Sequence, residues 1–210
     1  MQRTPAPLLD MKRLQVARKR TLRSAAAILV LLAVFNRPYW PAGSLIREGM
    51  IWMGVFLIVA AISGRVWVIA NLGRRKRWGF VLDGPYSVVR HPLYLFSIIG
   101  TAGAAAQTTS ASITLAATLA VSIIFDRIAR IEESDMALRF GEQYQNYLAR
   151  THRFLPRPSL WRPSARVWAD DLLLAQTFLD ASLFAVAIPF YLLIRWLHDA
   201  HLIVTLWELP

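Results

Sequence analysis

From Met50 to Asn71 the chain carries a single charged side chain, Arg65, in an otherwise apolar run. A helix needs about 20 apolar residues to cross a hydrocarbon layer about 30 Å thick. Apart from a closed barrel, it is the only arrangement that satisfies its own peptide groups in lipid. Further apolar stretches occupy Ser24–Phe35, Leu93–Ala106, Ala111–Phe125 and Leu172–Ile194. The pattern predicts an all-α integral membrane helical bundle of about five hydrophobic segments. Composition agrees: of 210 residues 56% are hydrophobic and mean hydropathy is +0.40, too apolar for an ordinary soluble domain.

Charge then suggests an orientation. The chain has 24 Lys+Arg against 13 Asp+Glu, a net charge of +11. The cations cluster beside apolar segments, in a basic arm over residues 1–23 and in GRRKRWG from Gly73 to Gly79. Such flanks face the cytoplasm. The expected anionic neighbours are therefore membrane lipids, with no nucleic acid as partner. A basic arm before an apolar run also resembles a secretory signal, but no small-residue cleavage site follows, and NRPYWP reads as an interfacial anchor, so the segment is expected to stay. Cysteine is absent, which excludes disulfides, thiolate metal sites and cysteine nucleophiles.

The two shorter apolar stretches, separated by Gln107, Thr108, Thr109 and Ser110, predict a helical hairpin whose ends return to one face. Residues 126–166 then turn highly charged and predict a cytoplasmic helical cap. It comprises a helix to Arg139, a break at Gly141, a second helix through Arg150, and prolines at 156, 158 and 163. Residues 24–166 thus form the core with its C-terminal module. Residues 167–210 add a further hydrophobic segment, with a kink expected from Pro189.

Two clusters carry chemistry. The first is GPYSVVRHPLYLF, residues 84–96, which sets Arg90 and His91 against the start of an apolar helix. Taken alone it fits snorkelling cations and a proline in a first helical turn. The second, RIEESDMALRFGEQYQNYLARTHRFLP, starts at Arg130; Glu132 and Glu133 open a helix in this reading, and Tyr144 and Tyr147 share a face of the next. Alone it fits a solvated charged helix. The two together, with a hairpin between them, form a long and specific pattern.

On those residues the sequence resembles the isoprenylcysteine carboxyl methyltransferase family and, more distantly, the phospholipid N-methyltransferases. Gly84, Pro85, Tyr86, Arg90, His91, Pro92 and Tyr94 carry the resemblance in the first cluster. In the second it rests on Glu132, Glu133, Leu138, Phe140, Gly141, Tyr144, Tyr147, Arg153 and Pro156, and Arg65 and Trp67 look like the family's upstream stretch. The resemblance implies an S-adenosylmethionine site at the cytoplasmic end of the bundle, with a lipid or lipophilic acceptor entering from the membrane. His91, Pro92, Tyr94, Glu133, Gly141, Tyr144 and Tyr147 are then the candidate cofactor contacts, with Arg90 and Glu132 as candidate catalytic groups. A guanidinium at Arg90 suits a bidentate hold on a carboxylate acceptor, whereas an amine acceptor needs a carboxylate such as Glu132 to take up a proton. Family members place an arginine shortly before the glutamate pair, and Arg127 and Arg130 bracket that position. The alternatives are a phospholipid-amine N-methyltransferase, an NADPH-dependent sterol-reductase-like enzyme and a non-catalytic scaffold.

Other conspicuous residues receive structural readings. Arg65 snorkels or pairs inside the bundle. His198 and His201 lack a third convergent ligand, so no metal site is expected. Gly100 and Gly103 point to close helix packing.

Overall fold

The structure, a computed structural model, describes residues 27, 30, 31, 34–72, 81–164 and 171–209. The basic arm and the GRRKRWG loop lie outside the described residues, and so does most of the first apolar stretch. Helix α1 spans Leu45–Leu72, a single helical turn α2 spans Pro85–Val88, and α3 and α4 span Pro92–Ala106 and Ala111–Arg150. Helices α5 and α6 cover Asp171–Ser182 and Ala187–Asp199, and two short strands, β1 (Asn36–Pro38) and β2 (Trp207–Leu209), pair in parallel. Among the described residues three helical stretches are long and apolar enough to cross a membrane: Leu45–Leu72, Ala111–Arg150 and Asp171–Asp199, with Pro92–Ala106 a shorter apolar helix.

Helix α1 is apolar on all sides along most of its length, Arg65 being the one charged side chain after Glu48. Its buried stripe, Gly54, Ile58, Ala61, Gly64 and Val68, recurs every three or four residues and packs on α3. Its opposite side exposes Trp52 and Phe56 at 69% and 66%, as a lipid-facing surface does. Glycine makes the crossing possible. A Cβ on Gly103 would fall 2.8 Å from the Gly54 carbonyl oxygen, and one on Gly54 would fall 2.8 Å from that of Gly103. Phe96 fills the space beside Gly64, and Phe184 of the segment joining α5 to α6 fills that beside Gly100. Small residues let backbones approach where lipid offers no hydrophobic drive to association.

The expected hairpin is present, but its second leg does not stop at Phe125. Helix α4 runs without a break from the apolar stretch into the charged one, so Glu132 and Glu133 sit in mid-helix rather than opening one. Nothing between Phe125 and Glu132 removes a backbone donor, and helix formation propagates cheaply once nucleated. The break comes at Gly141, at φ 54° and ψ −132°, as the sequence predicts. The kink in the last apolar stretch falls at residues 183–186, one turn before Pro189. Proline lacks the donor for the residue-185 carbonyl, and its ring crowds that turn. There the chain adopts i to i+3 bonds, Val186 N to Leu183 O and Ile188 N to Ala185 O among them. The β1–β2 pair was not foreseen; three residues give no periodicity to read.

Candidate active site

The loop preceding α3 is held from two sides. Gly84, at φ 57°, turns the chain into α2, and its N–H donates to the Arg162 carbonyl at 2.8 Å. The Tyr147 hydroxyl donates to the Tyr86 carbonyl at 2.7 Å. Arg90 N–H donates to the His152 carbonyl at 2.9 Å and His91 N–H to the Arg153 carbonyl at 3.2 Å. The strap after α4, residues 151–164, therefore lies along residues 84–91 and fixes where Arg90 and His91 point. Pro92 then starts α3, where a missing N–H costs nothing.

Glu133 is where the two sequence clusters meet. Its carboxylate is 7% exposed and faces two guanidiniums and an imidazole. Arg90 Nη1 lies 3.0 Å from Oε1 and His91 Nε2 3.1 Å from the same oxygen. Arg153 donates from Nε to Oε1 at 3.0 Å and from Nη2 to Oε2 at 2.7 Å, the two-pronged geometry a guanidinium favours. The remaining prong, Nη1, reaches Asp126 Oδ1 at 2.5 Å. Those hydrogen bonds, to Glu133 first and then Asp126, raise the pKa of Arg153 above its ordinary value and keep it charged. The bridge joins two turns of α4 to the strap.

Glu132 faces a different setting. It accepts from the Tyr94 hydroxyl at 2.6 Å, approaches His91 Nδ1 at 3.8 Å, and keeps 35% of its side chain exposed. The His91 and Tyr94 rings stack at 5.3 Å and 4°, and Tyr94 stacks in turn on Phe125 at 4.7 Å and 15°. Phe154 closes the His91 side, tilted at 6.2 Å. An aromatic column thus runs from the strap into the apolar interior. Tyr144 is buried and its ring tilts against Tyr147 at 5.8 Å. Burial pushes the nearby Tyr86 phenol above its ordinary pKa, with the Glu132 charge adding to the rise.

Seven of the nine candidate residues converge on this region: Arg90, His91, Tyr94, Glu132, Glu133, Tyr144 and Tyr147. Pro92 is fully buried behind them and exposes no surface to a ligand. Gly141 stands exposed, with nothing within 4 Å of an added Cβ; its part is to bend α4 so that Tyr144 and Tyr147 turn back. Neither Arg127 nor Arg130 supplies the second guanidinium. Both are exposed, and Arg130 pairs with Asp126 one turn away at 2.7 Å. Arg153 takes that place, arriving from the strap. Asp126 was passed over as the edge of the charged module; its spacing of seven residues from Glu133, two turns of one helix face, was the available signal.

Arg65, in α1, points into the bundle and donates to Ser97 Oγ. His198 Nε2 contacts the Val34 carbonyl at 2.8 Å, at the opposite end of the molecule.

The fold and this site define a class: an all-α, membrane-type helical protein whose residues 49–143 match the family model described as phospholipid methyltransferase, a family related to the isoprenylcysteine carboxyl methyltransferases. The match covers most of α1, all of α3 and most of α4, including Arg90 and both glutamates. Among curated proteins, the chain is 31% identical over 140 residues to the cobalt-zinc-cadmium resistance protein CzcN of Cupriavidus metallidurans. It is 29% identical over 140 residues to the nickel-cobalt-cadmium resistance protein NccN of Alcaligenes xylosoxydans xylosoxydans. Each alignment takes in 67% of this chain and spans 64% and 65% of the respective relative's own length. No solved structure matches the chain.

Proposed function

We propose that this chain is an S-adenosylmethionine-dependent membrane methyltransferase acting on a lipid or lipophilic acceptor, with a prenylcysteine-like carboxylate as the favoured group. The observation supporting this reading is the meeting, at Glu133, of side chains some forty residues apart in sequence, beside a second, more exposed carboxylate. The residues suit the cofactor. Its amino-acid end requires a cation and a carboxylate, its sulfonium favours π-faces and carboxylates, and its adenine needs an aromatic slot. Arg90 keeps a buried Nε without a hydrogen-bond partner, a donor whose cost a bound acceptor atom would relieve.

When bound, S-adenosylmethionine supplies an electrophilic methyl group for in-line displacement. Arg90 orients an ionised carboxylate acceptor, which needs no base. The His91–Tyr94–Phe125 column excludes water from the reacting centre. Arg153, locked between Glu133 and Asp126, holds the strap against His91 and leaves Arg90 as the guanidinium that can turn toward a ligand.

A second reading is favoured by the description of the matching family: N-methylation of a phospholipid amine. Glu132, 35% exposed and oriented by Tyr94, would then take up the amine proton. Base treatment of the labelled product separates the two, since methyl esters release methanol and N-methyl groups do not. We place the site on the cytoplasmic face because the basic residues at 1–23 and 73–79 flank it in sequence. The two relatives are named for resistance to transition metals, and we extend that setting to this chain as its physiological context; cells lacking the chain should then grow less well on cobalt or cadmium salts. The primary test is calorimetric titration of detergent-purified protein with S-adenosylhomocysteine beside NADPH. Binding of the first alone supports the reading; a flat trace for both sinks it.

A further inference from the structure

We propose that a cavity under the strap, separate from the Glu133 cluster, seats a phosphate group. The cavity measures about 410 Å³ and lies between the last turns of α4 and residues 159–162. Arg150, from the end of α4, and Arg162, from the strap, both line it, together with Gln143, Asn146, Thr151 and Ser159. No Asp or Glu is among its lining residues. Neither guanidinium has an ionic partner among the described residues, whereas Arg90, Arg130, Arg139 and Arg153 are all paired. A concave site lined by two guanidiniums and by neutral polar groups, with no carboxylate in its lining, favours an anion. Forked guanidiniums match the oxygens of phosphate best.

The position of the cavity favours a ligand at the membrane surface. Trp161, on its wall, stacks on Trp67 of α1 at 5.8 Å and 14°, and both indoles are 44% exposed. Stacked, half-exposed indoles at the end of an apolar helix mark the boundary between hydrocarbon and water. A phosphate bound here would sit at headgroup depth. It would also bear on the candidate active site, because Tyr147 lines the cavity while its hydroxyl holds Tyr86, four residues before Arg90. The phosphate could belong to an anionic phospholipid or arrive as a soluble ion; the chemistry at the arginines is the same.

The test uses the full chain in detergent and native mass spectrometry. Wild type, Arg150→Gln/Arg162→Gln and the control Arg139→Gln are each titrated with short-chain phosphatidylglycerol, phosphatidylcholine and inorganic phosphate. Wild type and the control should retain phosphatidylglycerol in preference to phosphatidylcholine, with about tenfold weaker retention for each cavity arginine removed. Retention of inorganic phosphate alone, lost in the double variant, supports the site with a soluble source. No phosphate-bearing adduct on wild type, or equal adducts on wild type and the double variant, overturns the proposal. S-adenosylhomocysteine titration of the same proteins should show unchanged binding, so failure here and failure of the methyltransferase reading remain distinguishable.

Discussion

The two ends of α3 are both polar and both buried, yet they solve burial in opposite ways. At its start, Arg90, Glu133, Arg153 and Asp126 neutralise one another as ions brought from three separate stretches of chain, with the His91 ring bonded to Glu133. At its end, Gln107, Thr108, Thr109 and Ser110 are 0–6% exposed and are satisfied by uncharged groups and one guanidinium, with no carboxylate among these partners. Ser110 Oγ caps α4 by accepting from Ile113 N at 3.2 Å, and Thr108 Oγ1 accepts from Ser110 N at 3.2 Å. Gln107 Nε2 donates to the Ile51 carbonyl at 3.0 Å, and Arg195 caps the C-terminus of α3 by donating to the Gln107 carbonyl at 2.9 Å. This end is a plug that hides its polar groups from lipid. The ionic end keeps Glu132 within reach of water, as the proposed binding site requires.

The sharpest way to break this contrast is Glu133→Gln. Removing the carboxylate leaves the Arg90 and Arg153 guanidiniums crowded without their common counter-ion, and uncompensated buried charge costs about 3–5 kcal/mol. Thermal unfolding in detergent should fall steeply, with loss of S-adenosylhomocysteine binding. An unchanged melting temperature would mean that the hub does not carry the stability assigned to it.

Arg90→Lys tests function at that same end. Lysine keeps the charge but loses the fork, so transfer to a carboxylate acceptor should drop about ten- to a hundredfold while Arg153 preserves the fold. Turnover near wild type would reject the clamp. Between the two ends, Gly103→Ala probes the helix crossing. Its Cβ would meet backbone atoms of Gly54 and Ile58 at 2.8 and 2.9 Å, which cannot give way as a side chain can. A loss of about 1–3 kcal/mol is expected from such overpacking, read as a lower melting temperature. The smallest effect belongs to Gln107→Leu. The substitution removes an amide whose Oε1 is already buried without a partner, and Arg195 bonds the main chain rather than the side chain. Stability should stay within about 1 kcal/mol of wild type. A large loss there would show that the plug depends on its side-chain amide as strongly as the hub depends on its carboxylate.

Much of this contrast was legible before any coordinates. The hairpin turn announced itself by four polar residues between two apolar runs, Gly141 by its place between two helical patterns, and the Arg90–His91 and Glu132–Glu133 clusters by their combined spacing. What could not be read was partner choice. Arg127 and Arg130 stood closer in sequence to the glutamates than Arg153, yet a helix points them outward, while a strap returning after Arg150 delivers Arg153 beneath. The continuity of α4 past Phe125 was equally hidden, because hydropathy changes there and backbone geometry does not.

By itself the sequence determined the medium and the material of this protein. Uninterrupted apolar runs must form helices where water cannot satisfy the backbone, and the charged clusters supplied the chemistry at their ends. Only the tertiary structure decided which charges neutralise which, since ion pairing depends on distances of a few ångströms between side chains that helices and straps bring together from remote points in the chain.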